Sequence, residues 1–169
     1  MHPDKDGYTE LPPALPGERR ELASAAGRVS YYASPRERDG RAPVLLIHSV
    51  NAAGSAYEVR PLYERLRGTR AVYAMDLPGF GFSDRSERPY TPRLMTDAVH
   101  AVVAELRARH GGAAVDALAL SLSSEFLARA AAERPDDFRT LALVSPTGFS
   151  ARGPRESAPG THRGMPGVH

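Results

Sequence analysis

Ser121 is the side chain whose type and setting point most directly to chemistry. It lies in Ala119-Leu120-Ser121-Leu122-Ser123, between the apolar run Val115–Leu120 and an amphipathic stretch from Ser123 to Arg134. A hydroxyl raised on a tight strand-to-helix turn can attack an acyl carbon. Such a turn requires small residues two places before and two after the serine, so that strand and helix can approach closely. Ala119 and Ser123 meet that requirement. The turn also faces Ser121 toward the start of a helix, whose free N–H groups favour developing negative charge. The structural alternative is that Ser121 and Ser123 cap that helix, a common use of serine.

Two further segments follow apolar runs in the same way. His48-Ser49-Val50-Asn51-Ala52-Ala53-Gly54 comes directly after Pro43–Ile47, and Asp76-Leu77-Pro78-Gly79-Phe80-Gly81-Phe82-Ser83-Asp84 comes after Ala71–Met75. His48 reads as a buried histidine that ties down its loop, not as a general base. Asp76 and Asp84 read as structural, within a tight loop at the rim of a pocket. Gly79 and Gly81 do not read as a phosphate cradle. Phosphate loops run straight into a helix N-terminus, whereas Pro89 and Pro92 follow here.

Taken together, the three segments resemble those of the α/β-hydrolase fold family in order, position and spacing, over about residues 20–149. The resemblance implies that Ser121 is the nucleophile on the family's elbow, with Ala119 and Ser123 in place of its usual glycines. It implies an oxyanion hole formed by the Leu122 N–H and a second amide from the loop after His48, Val50 in preference to Asn51. Ser49 stands where the family usually has Gly. An elbow serine places the chain with the family's esterases, lipases and C–C-bond hydrolases, apart from its haloalkane dehalogenases and epoxide hydrolases. The implied chemistry is hydrolysis of an ester or related acyl bond through an acyl-serine intermediate. The substrate is a small molecule, with acyl transfer to another acceptor open and no cofactor or metal implied.

The elements that must position these segments can be read from periodicity. Glu21–Ala25 and Arg28–Ala33 flank Gly27 as a β-hairpin. Pro43–Ile47 is a continuous apolar run, the mark of a strand buried on both faces, and Ala71–Met75, Val115–Leu120 and Phe138–Val144 read as the second, third and fourth strands, the third also buried. Between them, Arg60–Arg67 reads as a short helix with Pro61 in its first turn. Met95, Ala98, Val99, Val102, Val103 and Leu106 make one face of a long helix between Pro92 and Gly111-Gly112. Phe126, Leu127, Ala130 and Ala131 form the inner face of a third helix, stopped by Pro135. Strands alternating with helices demand a mostly parallel sheet covered on both sides, a three-layer α/β/α sandwich. In such sheets function sits at the C-terminal strand ends, where all three segments fall.

The chain is expected to divide into a flexible leader at residues 1–17, a partial hydrolase domain at 18–149 and a disordered Gly/Pro-rich tail at 150–169. Its 169 residues carry a net charge of +2 with basic and acidic residues interleaved, which argues against a nucleic-acid partner. There is no cysteine, which excludes disulfides and thiolate chemistry. No apolar run approaches the roughly 20 residues of a membrane span, and no secretory signal is visible, so a cytoplasmic location is expected. Arginine in place of lysine and abundant alanine reflect a GC-rich genome.

The family's chain order is nucleophile, then acid, then histidine. After Ser121 the candidate acids are Asp136, Asp137 and Glu156, and the candidate bases His162 and His169. Asp136 and Asp137 fall at the far end of the helix from Ser121, and the others lie in the tail. His100 and His110 belong to the long helix or just beyond it. The core is therefore expected to lack the family's last strands, and the chain to be inactive or weakly active. An open edge at the 138–144 strand would invite self-association. The alternative reading is a catalytically silent protein that binds a partner along that edge. A nucleotide-binding domain fits less well, since no glycine-rich loop opens a helix after the first buried strand.

Overall fold

The computed structural model describes residues 12–35 and 40–147. Its six strands are β1 (Glu18–Ser24), β2 (Gly27–Ser34), β3 (Val44–Ile47), β4 (Val72–Met75), β5 (Val115–Leu120) and β6 (Phe138–Val144). They form one sheet in the order β1-β2-β4-β3-β5-β6. The β1–β2 and β2–β4 pairs are antiparallel, and the three pairs that join β4, β3, β5 and β6 are parallel. Three helices connect the parallel strands: α1 (Arg60–Leu66), α2 (Pro92–Arg109) and α3 (Ser123–Glu133).

The hairpin begins earlier and ends one residue sooner at its turn than the apolar pattern indicates. Ser24 is the reason: its hydroxyl donates to the Gly27 carbonyl at 2.8 Å and accepts from the Ala26 N–H at 3.1 Å. Gly27 takes φ +86°, open to glycine and costly for other residues.

The helices lie on both faces of the sheet. On one face, Val59 and Tyr63 near and within α1 pack with Tyr32, Leu46 and Ala74. On the other, α2 and α3 cover Leu45, Ile47, Tyr73 and Ala117. The expected three-layer arrangement is what the residues build. β3 and β4 are buried at all four of their positions, as strands sandwiched between two helical layers must be.

α2 begins where the sequence places it. The Thr91 hydroxyl caps the Leu94 N–H at 3.1 Å, and Pro92 occupies the first turn, where no N–H is missed. Met95, Ala98, Val99, Val102, Val103 and Leu106 are all buried. The helix closes at His110, followed by Gly111 and Gly112 at positive φ. α3 buries Phe126, Leu127 and Ala130 as expected, while Ala131 is only partly buried.

Two expectations need adjustment. The leader does not extend to residue 17: Leu15 is 2% exposed and the Ala14 N–H donates to the Tyr32 hydroxyl at 3.0 Å. A leucine that completes the α1-side core is worth about 2 kcal/mol of burial, enough to order its neighbours. The capping alternative for the serines also fails, because Leu122 is the N-cap of α3 and no side chain caps it. Residues 1–11 and the tail at 150–169 lie outside the described residues.

β6 is an edge strand of the described sheet, bonded to β5 alone. Leu141 and Val144 are 40% and 43% exposed, large apolar side chains on an otherwise well-covered sheet.

The C-terminal end of the sheet is opposite a buried ion cluster. Asp116, near the start of β5, accepts from Arg70 at 2.5 Å, Arg139 Nε at 2.8 Å and Thr140 at 2.7 Å. Burial raises its pKa, but the hydrogen bonds from Arg139, Thr140 and Arg70 outweigh that and bring it down to about 2. The cluster ties the loop before β4 and the edge strand β6 to β5.

Candidate active site

Ser121 takes φ +52°, a left-handed backbone conformation that costs a non-glycine residue about 1–2 kcal/mol. Two bonds hold the reversal in place. The Ser121 N–H donates to the Val144 carbonyl at 2.8 Å, and its carbonyl accepts from the Ser124 N–H at 3.0 Å. β5 therefore ends at Leu120 and α3 starts at Ser123, with Ser121 at the apex of the turn between them.

The flanking small residues have distinct uses. Ala119 is fully buried where strand and helix cross. Ser123 is also fully buried, and its hydroxyl donates to the His48 carbonyl at 2.5 Å. A glycine at position 123 could not make this bond. It fastens the first turn of α3 to the tip of β3. Ser124 turns inward as well, donating to the Ala119 carbonyl at 3.2 Å.

His48 is locked as a neutral ring. Its Nδ1 lies 2.7 Å from the Ser49 carbonyl and its Nε2 accepts the Leu77 N–H at 3.0 Å, which places the ring proton on Nδ1. Phe80 stacks edge-on against it. Burial pushes its pKa down, against smaller opposing effects of the Ser49 carbonyl, Asp76 and Glu58. A ring held this way joins the loops after β3 and β4 and has no nitrogen left for proton transfer.

The loop after β3 is tied by Ser49, Asn51 and a side chain that no motif marks, Glu58. Glu58 accepts from the Ser49 N–H and hydroxyl, each at 2.8 Å. The Asn51 amide donates to the Ser49 hydroxyl at 2.6 Å, and its carbonyl oxygen accepts from the Ala53 N–H at 2.9 Å. Ser49 thus replaces the flexibility of a glycine with a fixed hydrogen-bonded turn. A Cβ on Gly54 would lie 2.7 Å from the Ser49 carbonyl oxygen, so the loop closes on itself only with glycine there.

Asp76 has the structural role expected of it. Its carboxylate accepts from the Ala56 N–H at 2.8 Å and the Phe82 N–H at 3.1 Å, while its carbonyl accepts the Ser83 hydroxyl at 2.6 Å. Gly81, at φ +49°, passes so close that a Cβ would lie 2.1 Å from that carboxylate. Asp84 also serves the loop, accepting from the Ser86 N–H at 2.7 Å.

These loops enclose a pocket of about 530 Å³. Val50 and Leu122 both line it, along with Phe80, Tyr90, Met95 and Phe126. Among the described residues, neither the Val50 N–H nor the Leu122 N–H is hydrogen-bonded to another group. The loop after β4 forms its rim through Pro78, Gly79 and Phe80. Tyr90, which approaches Gly79, was invisible to motif reading because it arrives from a proline-rich linker.

Among the described residues, the candidate acids Asp136 and Asp137 and the histidines His100 and His110 are not brought to Ser121. Asp137 pairs with Arg107, and Asp136 follows α3 at the opposite end from the elbow. His100 Nε2 lies 2.8 Å from Glu133, and His110 Nε2 lies 2.8 Å from the Tyr73 hydroxyl. Glu156, His162 and His169 lie outside the described residues. No group of three or more His, Cys, Asp or Glu among the described residues could hold a metal ion, and no helix among them is long and apolar enough to cross a membrane.

The fold and the turn together define a class: a three-layer α/β protein with a serine on a strained strand-to-helix reversal. The model of the alpha/beta hydrolase fold matches residues 42–167. The chain belongs to that family. No curated protein matches the sequence. Among solved structures it is similar to N-formylmaleamic acid deformylase from Pseudomonas putida S16, at 22% identity and TM-score 0.64 over 76% of this chain and 47% of that one. It is also similar to a haloalkane dehalogenase variant from Bradyrhizobium elkanii, at 24% identity and TM-score 0.64 over 76% and 40%. A serine hydrolase involved in carbazole degradation matches at 20% identity and TM-score 0.65 over 79% and 50%. At these identities the likeness is one of fold, and the chain spans half or less of the length of each.

Proposed function

We propose that this chain carries the nucleophile and oxyanion hole of a serine hydrolase, with Ser121 attacking an ester or related acyl carbon of a small molecule. The observation that carries the reading is the left-handed φ of Ser121 at the junction of β5 and α3. Strain of this kind persists only where the surroundings enforce it, and it is the geometry that lifts a hydroxyl clear of both elements. The uncommitted Leu122 and Val50 amides, on a shared pocket, support their assignment to the oxyanion hole. Asn51 is the weaker candidate, since Val50 lines the pocket and Asn51 does not.

In the proposed reaction the Ser121 oxygen adds to the carbonyl and the two amides stabilise the resulting oxyanion. Collapse expels the alcohol, and water then releases the acid. Each transfer needs a base. Since His48, His100 and His110 are all engaged elsewhere, the described residues supply none, and we infer weak activity for the chain. An oxyanion hole and binding alone give roughly 10³–10⁴-fold over water. The test is hydrolysis of a p-nitrophenyl ester by the full chain, with and without added imidazole. Slow turnover that imidazole accelerates and Ser121→Ala abolishes is the expected result. A rate indifferent to Ser121→Ala overturns the reading.

The exposure of Leu141 and Val144 on β6 favours a second reading, a non-catalytic protein that pairs through this edge, with another copy as the simplest partner. Sedimentation of the chain at several concentrations separates the two: a monomer throughout removes the edge-pairing reading. A cytoplasmic setting fits either reading, and fractionation of the source cells tests it.

A further inference from the structure

The pocket lined by Leu122, the residue that follows Ser121, is apolar along Phe80, Met95 and Phe126, and its two charged lining residues are Arg85 and Glu125. Their charges are not equivalent. Arg129 donates to one Glu125 oxygen twice, from Nε at 3.0 Å and Nη2 at 2.7 Å, so the carboxylate is neutralised within α3. Arg85 makes one hydrogen bond, from Nη2 to the Gly81 carbonyl at 3.0 Å. Among the described residues it has no acidic partner. The nearby Asp84 is paired with Arg88 at 3.5 Å. The pocket therefore holds one uncompensated positive charge.

That charge belongs to a side chain suited to a specific ligand group. A guanidinium has five N–H donors in a planar fork that matches a carboxylate. With Nη2 spent on Gly81, Nε and Nη1 remain. Arg85 is exposed whereas Val50 and Leu122 are partly buried, so the charge stands at the mouth and the amides lie further in. A cavity of about 530 Å³ is of the size that holds a small organic ligand.

Building on the reading of Ser121 as nucleophile, we propose that the pocket takes substrates bearing a carboxylate, which Arg85 holds at the mouth while the apolar body lies against Phe80, Met95 and Phe126. The reacting carbonyl then points toward the Val50 and Leu122 amides. Glu125, already paired, repels such an anion little.

Binding tests this without requiring turnover. Phenylbutyrate and its neutral counterpart phenylbutanol share an apolar body and differ in the charged end. Titrated by NMR into the full chain at low ionic strength, the carboxylate is expected to bind about fivefold more tightly. The preference should shrink as salt is added. It should vanish in Arg85→Gln and persist in Ser121→Ala. Equal binding of the two, a preference unchanged in Arg85→Gln, or no binding of either at millimolar concentration overturns the proposal. Those failures leave Ser121 modification unaffected. Conversely, an Arg85-dependent preference in a chain whose Ser121 is inert supports the pocket assignment and removes the catalytic reading.

Discussion

The Ser123 hydroxyl donates to the His48 carbonyl at 2.5 Å, across 75 residues of chain. It binds the helix that follows the elbow to the loop that carries Val50. A residue that the turn requires only to be small is thus also a fastener between the two halves of the proposed oxyanion hole. Ser123→Ala keeps the size and leaves a buried carbonyl without its donor, at a cost of about 1–2 kcal/mol. Urea denaturation should show that loss. A variant as stable as the wild type would mean the bond contributes nothing to holding the loops together.

The strained turn makes a prediction of opposite sign. Glycine accepts φ +52° without the steric cost that Ser121 bears. Ser121→Gly should therefore be at least as stable as the parent, by up to about 1 kcal/mol, while Ser121→Val is less stable than either. Denaturant midpoints of the three proteins check this. A destabilised Ser121→Gly would contradict the strain.

Gly81 illustrates the reverse constraint. Its Cβ position is taken by the Asp76 carboxylate at 2.1 Å, and its φ is positive. Gly81→Ala must displace that carboxylate from the Ala56 and Phe82 amides. A loss of roughly 2–4 kcal/mol is expected, seen as a lower thermal midpoint. Full stability in this variant would show that the loop has room to spare.

Two buried groups, His48 and Asp116, contribute to the acid limb of stability. For His48 the folded pKa is below the unfolded value, so the unfolded chain binds more protons in acid. Its effect is absent well above pH 6.5 and stability falls as pH drops below that value. For Asp116 the folded pKa is about 2, below the ordinary 3.8, so its contribution is complete above about pH 4 and is lost as pH falls toward 2. That contribution is about 2 kcal/mol. Stability of the parent against pH should thus fall in two stages, and Asp116→Asn should lack the second. A single stage shared by both proteins would remove Asp116 from the account.

Much of the fold was legible in the sequence, and for identifiable reasons. Strands buried on both faces leave unbroken apolar runs, as in Val44–Ile47, and a six-member stripe at helical spacing left no alternative to α2. The elbow was legible because its steric demand falls on adjacent residues, Ala119 and Ser123. What escaped notice depends on distant partners. Glu58 holds Ser49 from nine residues away and Arg70 reaches Asp116 over 46. Nothing local to those residues marks the contact. Leu15 escaped because prolines around it disguise a single buried anchor.

The central claim is that the Ser121 hydroxyl reacts with an acyl-type electrophile, and covalent modification reads this most directly. The full chain, treated with a fluorophosphonate and mapped by peptide mass spectrometry, should carry the adduct on Ser121, slowly and in preference to its other serines, with none in Ser121→Ala. Modification spread evenly over surface serines, or unchanged by Ser121→Ala, would contradict it.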